Sequence, residues 1–135
     1  MHRIFALAAL TLLLSACSSL GSNDPAELRG VDWRIVRLEA DEVPGDAGLM
    51  LRFEDAKLSG HSGVNAFHGP ALTDASGDFE AGPFAMTRRA GPPEAMQLES
   101  LLLVALEQAD RWRIERGELH LVSGDMSLAV AVRAD

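Results

Sequence analysis

Apolar and polar residues alternate in short stretches along most of the chain. In the clearest stretch, Leu49, Leu51 and Phe53 are separated by more polar or flexible side chains. Side chains on a β-strand point to opposite faces in turn, so this pattern predicts a strand with one buried face. Similar patterns predict strands at 31–38, 57–60, 66–72, 78–81, 83–87, 111–115, 119–121 and 126–132. In the first of these the alternation slips by one residue at Val36, which indicates a β-bulge.

One segment, Glu94 to Ala109, has a helical period instead. It contains no glycine or proline, is rich in good helix formers, and follows the helix-start signal Pro92-Pro93. At about 100° per residue its apolar side chains share one broad face. The members of that face are Leu98, Leu101, Leu102, Ala105, Leu106 and Ala109.

The order of these elements defines the fold class. Many short antiparallel strands, then one helix, then a three-stranded meander predict a mainly β (α+β) domain. We expect a small antiparallel, partly open β-barrel of about eight short strands with one helix packed on it. Trp33 and Trp112 each alternate with charged neighbours, which favours core positions over an aromatic binding wall. With 135 residues, 47% of them apolar, the chain has enough material for one such domain.

Residues 1–16 have the composition of a secretory signal peptide. His2 and Arg3 form a basic head, and the apolar run that follows is too short to span a bilayer. The sequence Leu14-Ser15-Ala16-Cys17 then resembles the bacterial lipobox. An ordinary signal peptide cleaved after Ala16 would place Leu14 where a small residue is needed.

The lipobox resemblance implies cleavage before Cys17 and several acyl chains on that residue, which anchor a protein stably. We therefore predict a lipoprotein of the bacterial cell envelope that faces the periplasm. Ser18 after the cysteine resembles the sorting pattern for the outer membrane rather than the inner one. Residues 17–27 are predicted to be the lipidated Cys and a flexible tether, because they are small, polar and turn-rich. The domain follows at 28–135.

The charge balance excludes some partners. The chain has 20 acidic and 12 basic residues and a formal net charge of −8, which loss of Arg3 with the signal peptide makes one unit more negative. Nucleic-acid binding needs clustered Lys and Arg, so we expect no nucleic-acid partner. The same charge disfavours lying flat on an anionic leaflet, so the anchor at Cys17 is expected to hold the domain there. Since Cys17 is the only cysteine, we expect no disulfide.

The stretch from Leu58 to Gly69 is the part around which the strands are organised. Gly60, Gly63 and Gly69 lie within ten positions of one another, and glycine reaches turn conformations without strain. Asn65 lies between the last two glycines. We expect its side chain to bond the backbone of the turn rather than a ligand.

His61 and His68 flank Ser62 in this stretch, and His120 lies on a late strand. A zinc site needs three or four ligands at recognisable spacing, and a nucleophile needs a base with an orienting acid. These side chains provide neither the ligands of a zinc site nor a nucleophile with a base and an orienting acid. We therefore expect turn and surface histidines, and no catalytic residue, metal or cofactor.

Glu99 falls inside the apolar face of the predicted helix. A carboxylate there must find partners, because an unpaired buried charge is costly. Arg88 and Arg89, just before the helix, are the nearest cationic candidates. We expect an ion pair that ties the helix to the sheet, in preference to a buried polar site facing a cavity.

Six pieces of sequence, in order along the chain, carry a family resemblance. They are Gly30-Val31-Asp32-Trp33, Leu51-Arg52-Phe53, Gly60-x-x-Gly63-x-Asn65-x-Phe67-x-Gly69, Thr87-Arg88-Arg89-Ala90, Met96-Gln97-Leu98-Glu99 and Leu119-x-Leu121. Their order and spacing resemble the META domain, the HslJ-like family, from about residue 28 to 130. The resemblance implies a small, partly open barrel packed by one helix, often lipid-anchored and associated with envelope stress. It implies a structural role for Trp33, Gly60, Gly63, Asn65, Phe67, Gly69, Thr87 and Glu99.

The chain departs from this family at two positions. The family usually has one cysteine before the Asn and another after the Thr-x-x-Ala stretch, and here those positions hold Val64 and Gly91. A disulfide there would close a loop of about 25 residues and contribute about 3 kcal/mol. Any function that needs those cysteines is excluded in this chain.

The sequence leaves two hypotheses for the function of the protein. The first is a non-enzymatic, membrane-anchored module that binds another envelope protein, which predicts a filled barrel and an exposed apolar patch. The second is a small-ligand or lipid carrier, which predicts an apolar cavity of about 300 Å³ or more in the barrel mouth. We favour the first, because the apolar face of the helix can itself fill the opening.

Overall fold

The structure, a computed structural model, describes residues 21–134. The predicted signal peptide at 1–16 and the predicted lipidation site Cys17 lie outside the described residues. The helices are α1 (Pro25–Leu28) and α2 (Pro93–Gln108). The strands are β1 (Asp32–Leu38), β2 (Asp41–Glu42), β3 (Leu49–Glu54), β4 (Lys57–Ser62), β5 (Ala66–Thr73), β6 (Phe79–Ala81), β7 (Ala85–Met86), β8 (Arg111–Glu115), β9 (Glu118–Ser123) and β10 (Met126–Arg133).

Eight of these strands form a nearly closed antiparallel barrel with one unsealed seam. Their order is β6-β5-β4-β3-β1-β10-β9-β8, and the short strands β2 and β7 pair with β1 and β5. The seam lies between β6 and β8, where Asp78 bridges to Arg111 and Phe79 N donates to Asp110 O at 2.9 Å. The predicted fold class, a partly open barrel of about eight strands with one helix packed on it, is confirmed.

The local pattern predicted most element positions closely. The pairing of β1 with β10 shifts register between Ile35 and Arg37, which confirms the bulge predicted at Val36. The helix predicted at 94–109 begins and ends one residue earlier. The strand predicted at 83–87 is reduced to the two residues of β7, because Pro83 has no N–H to donate to a ladder.

The barrel interior is filled by large side chains. The bulkiest fully buried ones are Trp33, Trp112, Phe53, Phe67, Leu28, Ile35, Leu38, Leu49, Leu51, Leu58, Leu102 and Leu106. Both tryptophans therefore lie in the core, as predicted. Each indole N–H has the acceptor that burial requires: Trp33 donates to Leu28 O at 3.0 Å, and Trp112 donates to Asp74 O at 3.1 Å.

Helix α2 lies across one end of the barrel. It contacts β1, β4, β6, β9 and β10, which come from different sides of the barrel. Its predicted apolar face is the buried one, with Leu102, Ala105 and Leu106 in the core. Among the described residues, no helix combines the length and hydropathy needed to cross a bilayer.

The segment just before α1 is bound to the edge of β8. Ser22 exchanges two backbone hydrogen bonds with Ile114, at 2.6 and 2.7 Å, and the Asn23 side chain donates to the Trp112 carbonyl. A strand edge offers unpaired N–H and C=O groups that a neighbouring segment of any composition can use. Polar, turn-rich composition predicted flexibility here, but from residue 21 onward the chain lies against the barrel.

Helix α1 continues this attachment. Asp24 caps it by accepting from Ala26 N at 2.9 Å. Leu28, at its end, is fully buried. The part of the predicted tether nearest the domain is thus held by pairing, by a cap and by a core side chain.

Candidate functional site

A buried polar cluster joins α2 to the inner side of β4. Glu99 is 8% exposed, and its Oε2 accepts from the Ser62 hydroxyl and from Asn65 Nδ2, the latter at 2.8 Å. The ion pair predicted for Glu99 with Arg88 or Arg89 is wrong. Both arginines are exposed, and neutral hydroxyl and amide donors satisfy the carboxylate without burying a second charge.

Asn65 uses all four hydrogen-bonding positions of its amide. Its Nδ2 donates to Glu99 and to Arg89 O, the latter at 3.2 Å. Its Oδ1 accepts from Thr87 Oγ1 at 2.9 Å and from Arg89 N at 2.7 Å. Thr87 in turn accepts from Ala66 N at 3.1 Å. The prediction that Asn65 bonds backbone is confirmed, and the amide also joins the turn to α2.

The predicted glycines lie where the backbone turns sharply or approaches a ring. A Cβ at Gly60 would lie 2.6 Å from the Phe67 ring, so only glycine lets β4 pass over it. A Cβ at Gly69 would similarly lie 2.9 Å from the Phe84 ring. Gly63 has a φ of +89°, which glycine adopts without strain.

The two positions where the family usually has cysteines are neighbours. A Cβ built on Gly91 lies 3.6 Å from the Cβ of Val64 and 2.7 Å from its Cγ2. Disulfides have Cβ separations of about 3.5–4.5 Å. In this chain the Val64 side chain occupies the space that Gly91 leaves free. The two residues are therefore in van der Waals contact at the place where a disulfide would fit.

The outer side of the same strands forms an open groove of about 620 Å³. Arg52 from β3, Lys57 and His61 from β4, and His68 from β5 line it. The register places Arg52 opposite Ser59, and Ser59 opposite His68, so these three side chains form a row across three strands. Other lining residues are small or apolar, including Ala66, Ala85, Met50 and Met86.

Asp32 is the acidic residue that lines this groove. Its Oδ1 lies 3.0 Å from Arg52 Nη1, and Glu54 Oε1 lies 2.8 Å from Arg52 Nε. These ion pairs are exposed, so they orient the guanidinium but add little to stability.

The candidate Ser–His and metal sites are not assembled. Adjacent residues on a strand face opposite sides, so His61 is exposed on the outer side of β4 while Ser62 is buried on the inner side. His68 is also exposed, and His120 lies on β9. Within 21–134, no three His, Cys, Asp or Glu side chains are grouped as a metal ion would require.

His120 differs from the other two histidines because it is partly buried. Burial, together with the positive charge of Arg113, lowers the pKa of His120 below its ordinary value. Glu118, whose Oε2 lies 3.5 Å from His120 Nε2, opposes this shift.

A second open concavity, of about 460 Å³, lies at the rim between α2 and residues 81–86. Phe84, Met86 and Leu103 give it an apolar lining, and Glu107 adds one carboxylate. Phe84 packs edge-to-face on the core ring of Phe67, with centroids 5.3 Å apart. The rim concavity is therefore separated from the barrel interior by packed aromatic rings.

Sequence reasoning missed the role of Ser62 and the outer groove. Ser62 lies four residues after Leu58, a core residue, so the two side chains point to the same face of β4. The alternation along β4 therefore indicates that Ser62 faces inward. The groove has no such signal, because it depends on how β3, β4 and β5 pair. That register brings Arg52 and His68 into one row, although they are far apart in sequence.

Fold and site together define the class of protein: a small antiparallel barrel whose end is covered by one helix, tied to a glycine-rich turn through Glu99. The family model described as META domain matches residues 26–135. The chain therefore belongs to the META domain family, as the sequence resemblance predicted. The HslJ-like assignment stays a prediction. No curated protein matches the chain at a significant level.

Solved structures with this fold are distant in sequence. A protein from Burkholderia xenovorans, solved by NMR, is 22% identical with a TM-score of 0.64, covering 82% of this chain and 88% of that one. A second NMR structure is 20% identical with a TM-score of 0.63, covering 81% and 94%. The crystal structure of a DUF4847 family protein from Bacteroides vulgatus is 12% identical with a TM-score of 0.56, covering 77% and 92%. At these identities the likeness shows a shared fold alone.

Proposed function

We propose that the mature protein is a lipid-anchored lipoprotein of the bacterial envelope, and that it acts as a non-enzymatic protein-interaction module facing the periplasm. The observation that carries this proposal is a barrel interior filled by large side chains beside an open outer groove of about 620 Å³. A filled interior leaves the outer surface as the place to bind a partner. The family resemblance adds a link to envelope stress.

The buried cluster supports a structural role for the polar residues of the glycine stretch. A nucleophile and its base must reach a substrate. Ser62 is 0% exposed and Glu99 is 8% exposed, so this serine and the carboxylate that it contacts are both enclosed by the fold. Asn65 has no free hydrogen-bonding position for a ligand. These groups stabilise the junction between helix and barrel.

The bound N-terminal segment supports an oriented anchor. Gly21 is four positions after Cys17 in sequence, and four residue steps reach at most about 14 Å. Because Ser22 pairs with Ile114 on β8, a lipid on Cys17 would hold the β8 side of the barrel near the membrane. Strand β3 lies four strands from β8 in either direction. The groove over β3, β4 and β5 would therefore face away from the membrane.

Metabolic labelling of the full chain with a palmitate analogue tests the anchor. In a Gram-negative host we expect the wild type to be labelled and to fractionate with membranes. We expect the Cys17→Ser variant to be unlabelled. Labelling that persists in Cys17→Ser, or a soluble and unlabelled wild type, would contradict the proposed anchor.

Site-specific photo-cross-linking in cells tests the interaction module. A photoreactive residue at position 68, in the groove, is expected to give a discrete adduct with an envelope protein. The matched control is position 126 at the start of β10, where Met126 is 61% exposed. The proposal fails if position 68 gives no adduct, or if both positions give the same one.

A small-ligand or lipid carrier is the second candidate, and the rim concavity is the observation that favours it. Its volume of about 460 Å³ exceeds the lower size of ligand sites, about 300 Å³. Carrier pockets, however, enclose most of the ligand surface, whereas this concavity is open. Native mass spectrometry of the gently purified lipoprotein separates the two candidates. Extra mass removed by delipidation favours the carrier, and the lipoprotein mass alone favours the packed scaffold.

A further inference from the structure

Strand β7 and the residues after it present backbone N–H groups on two sides. On one side, Thr87 N donates to the first carbonyl of β5 at 3.0 Å, and Arg89 N donates to the Asn65 amide oxygen at 2.7 Å. Successive N–H groups of an extended chain point to opposite sides, so those of Met86 and Arg88 point away from β5. Within residues 21–134 only β5 pairs with β7, so this second edge of β7 is open.

Helix α2 lies across an edge groove from these backbone groups. The groove consists of the rim concavity and a further concavity of about 530 Å³ that shares Phe84 and Met86 with it. The α2 side chains that line the groove recur every three or four residues, so they lie along one side of the helix. They are Met96, Glu99, Leu103 and Glu107. At 1.5 Å per residue this side is about 16 Å long, which is the length of about five extended residues.

The two ends of the edge groove carry opposite charges. Arg88 and Arg89 lie at one end, and Glu107 lies at the other. All three are exposed, and no other described residue forms an ion pair with any of them. Glu99 also lines the arginine end, but it is 8% exposed and its Oε2 is bonded within the buried cluster. The middle of the groove, between the two charged ends, is apolar.

We propose that the protein partner adds an extended segment to the open edge of β7, in the edge groove between β7 and α2. The inference rests on the proposed interaction module and names the kind of segment that the module recognises. Strand addition uses the main-chain groups of an open sheet edge for affinity and neighbouring pockets for alternate side chains. The edge groove provides both.

Strand geometry fixes the order of side chains in such a segment, which continues the antiparallel order of the barrel. The partner residue opposite Met86 exchanges two hydrogen bonds with it and points its side chain to the same side, into the apolar middle of the groove. The partner residue two positions earlier lies opposite Arg88, and the one two positions later lies toward Glu107. The groove therefore selects an acidic, an apolar and a basic residue at alternate positions.

Peptide binding to the mature lipoprotein in phosphatidylcholine nanodiscs tests this proposal. The probe is the fluorescein-labelled peptide Gly-Ser-Glu-Thr-Leu-Thr-Lys-Ser-Gly, for which we expect saturable binding in fluorescence anisotropy. The same peptide with N-methyl-leucine at its centre keeps every side chain but lacks the N–H that donates to Met86 O. We expect it to bind about tenfold more weakly. Equal binding of the two peptides, or no saturable binding of the probe, would overturn strand addition.

Amide hydrogen exchange identifies the edge that the peptide uses. We expect the probe to slow exchange at the amides of Met86 and Arg88, which point into the edge groove. Thr87 is the internal control, since its N–H is already bonded to β5, and its exchange should change little. Slower exchange elsewhere on the barrel, with Met86 unaffected, would contradict the proposed site.

A charge exchange tests the direction of the segment. Arg88→Glu is expected to weaken binding of the probe about tenfold, and a probe with Lys in place of its Glu should restore it. Arg116→Glu makes the same change in net charge at the exposed turn after β8, and we expect it to change binding less than about twofold. Equal weakening by both variants, or no restoration by the exchanged probe, would overturn the proposed order of side chains.

Two other occupants of the edge groove give different results. Saturable binding of decanoate without binding of the probe would assign the groove to a lipid. Dimerisation that Leu103→Asp abolishes would assign it to a second copy of the chain, with Val104→Asp as the control because Val104 is 42% exposed on α2 outside the groove lining. Either result overturns the inference.

The cross-linking experiment separates this inference from the proposed function. A discrete adduct at position 68 without binding of the probe overturns strand addition and leaves the interaction module standing. Absence of any adduct at position 68 overturns the module itself.

Discussion

Strands β4 and β5 have two faces of opposite character. On the inner face, Ser62 and Phe67 are buried, and the hydroxyl of Ser62 reaches Glu99 on α2. On the outer face, His61 and His68 are exposed and line the groove. His61 and Ser62 are neighbours in sequence, yet one is open to solvent and the other is completely enclosed.

This difference separates the residues that hold the fold from those that can meet a partner. Removing one member of a buried hydrogen-bonded cluster leaves its partners buried and unsatisfied, which costs stability. Substitution of an exposed side chain usually changes stability by less than about 0.5 kcal/mol. We therefore expect the inner face to respond in unfolding experiments and the outer face in binding experiments.

The largest effect is expected at Asn65. Asn65→Ala removes four hydrogen bonds and leaves the Glu99 carboxylate with one donor fewer. We expect a loss of about 3 kcal/mol in the free energy of unfolding, measured by urea denaturation with the fluorescence of Trp33 and Trp112.

A graded variant keeps this prediction testable if Asn65→Ala does not fold. Thr87→Val removes one of the four bonds to Asn65 and the bond that Thr87 accepts from Ala66 N, so we expect a loss of about 1–2 kcal/mol. His68→Ala is the outer-face control, expected within about 0.5 kcal/mol of the wild type. If Asn65→Ala is as stable as His68→Ala, the inner cluster does not hold the helix.

A gain in stability is expected from a covalent link at the inner junction. A Cβ built on Gly91 lies 3.6 Å from the Cβ of Val64, a separation that fits a disulfide. Val64→Cys with Gly91→Cys is expected to add about 3 kcal/mol to the free energy of unfolding when oxidised. The gain should vanish in reductant, and Gly91→Cys alone is the control. No oxidised species, or no reductant-sensitive gain, would show that the two positions are not held together.

A smaller effect, dependent on pH, is expected at His120. Since the fold lowers the pKa of His120, its contribution to stability is fully present above the unfolded pKa of about 6.5 and is lost as pH falls through the folded value. Unfolding free energy should therefore fall more for the wild type than for His120→Gln between about pH 7 and pH 5. Parallel pH curves for the two proteins would contradict this.

Much of the fold follows from local pattern. Alternation predicted most strands and the bulge at Val36, because a half-buried strand must place one apolar residue inward at every second position. The pairing of Ser22 with Ile114 could not be predicted from the local sequence pattern. It is a backbone pairing to a strand edge, and backbone pairing leaves no mark on side-chain composition.

The candidate site was predicted less completely than the fold. The burial of Glu99 and the turn role of Asn65 follow from helical period and from turn chemistry. The contact between Glu99 and Asn65 could not be predicted in this way, because it depends on how α2 crosses the barrel. Arg88 and Arg89 are close to Glu99 in sequence, but they are not its partners in the fold. The groove likewise requires the cross-strand register that places Arg52 and His68 in one row.

The contrast between the two faces is tested most directly by one paired experiment. The yield of the cross-linked adduct at position 68 is compared in the Ser62→Ala and His61→Ala proteins, at a temperature where both are folded. We predict that Ser62→Ala gives the wild-type yield, although its unfolding free energy falls by about 2 kcal/mol. His61→Ala should give a lower yield at unchanged stability. A lower yield in Ser62→Ala with an unaltered yield in His61→Ala would contradict the division of roles between the inner and outer faces.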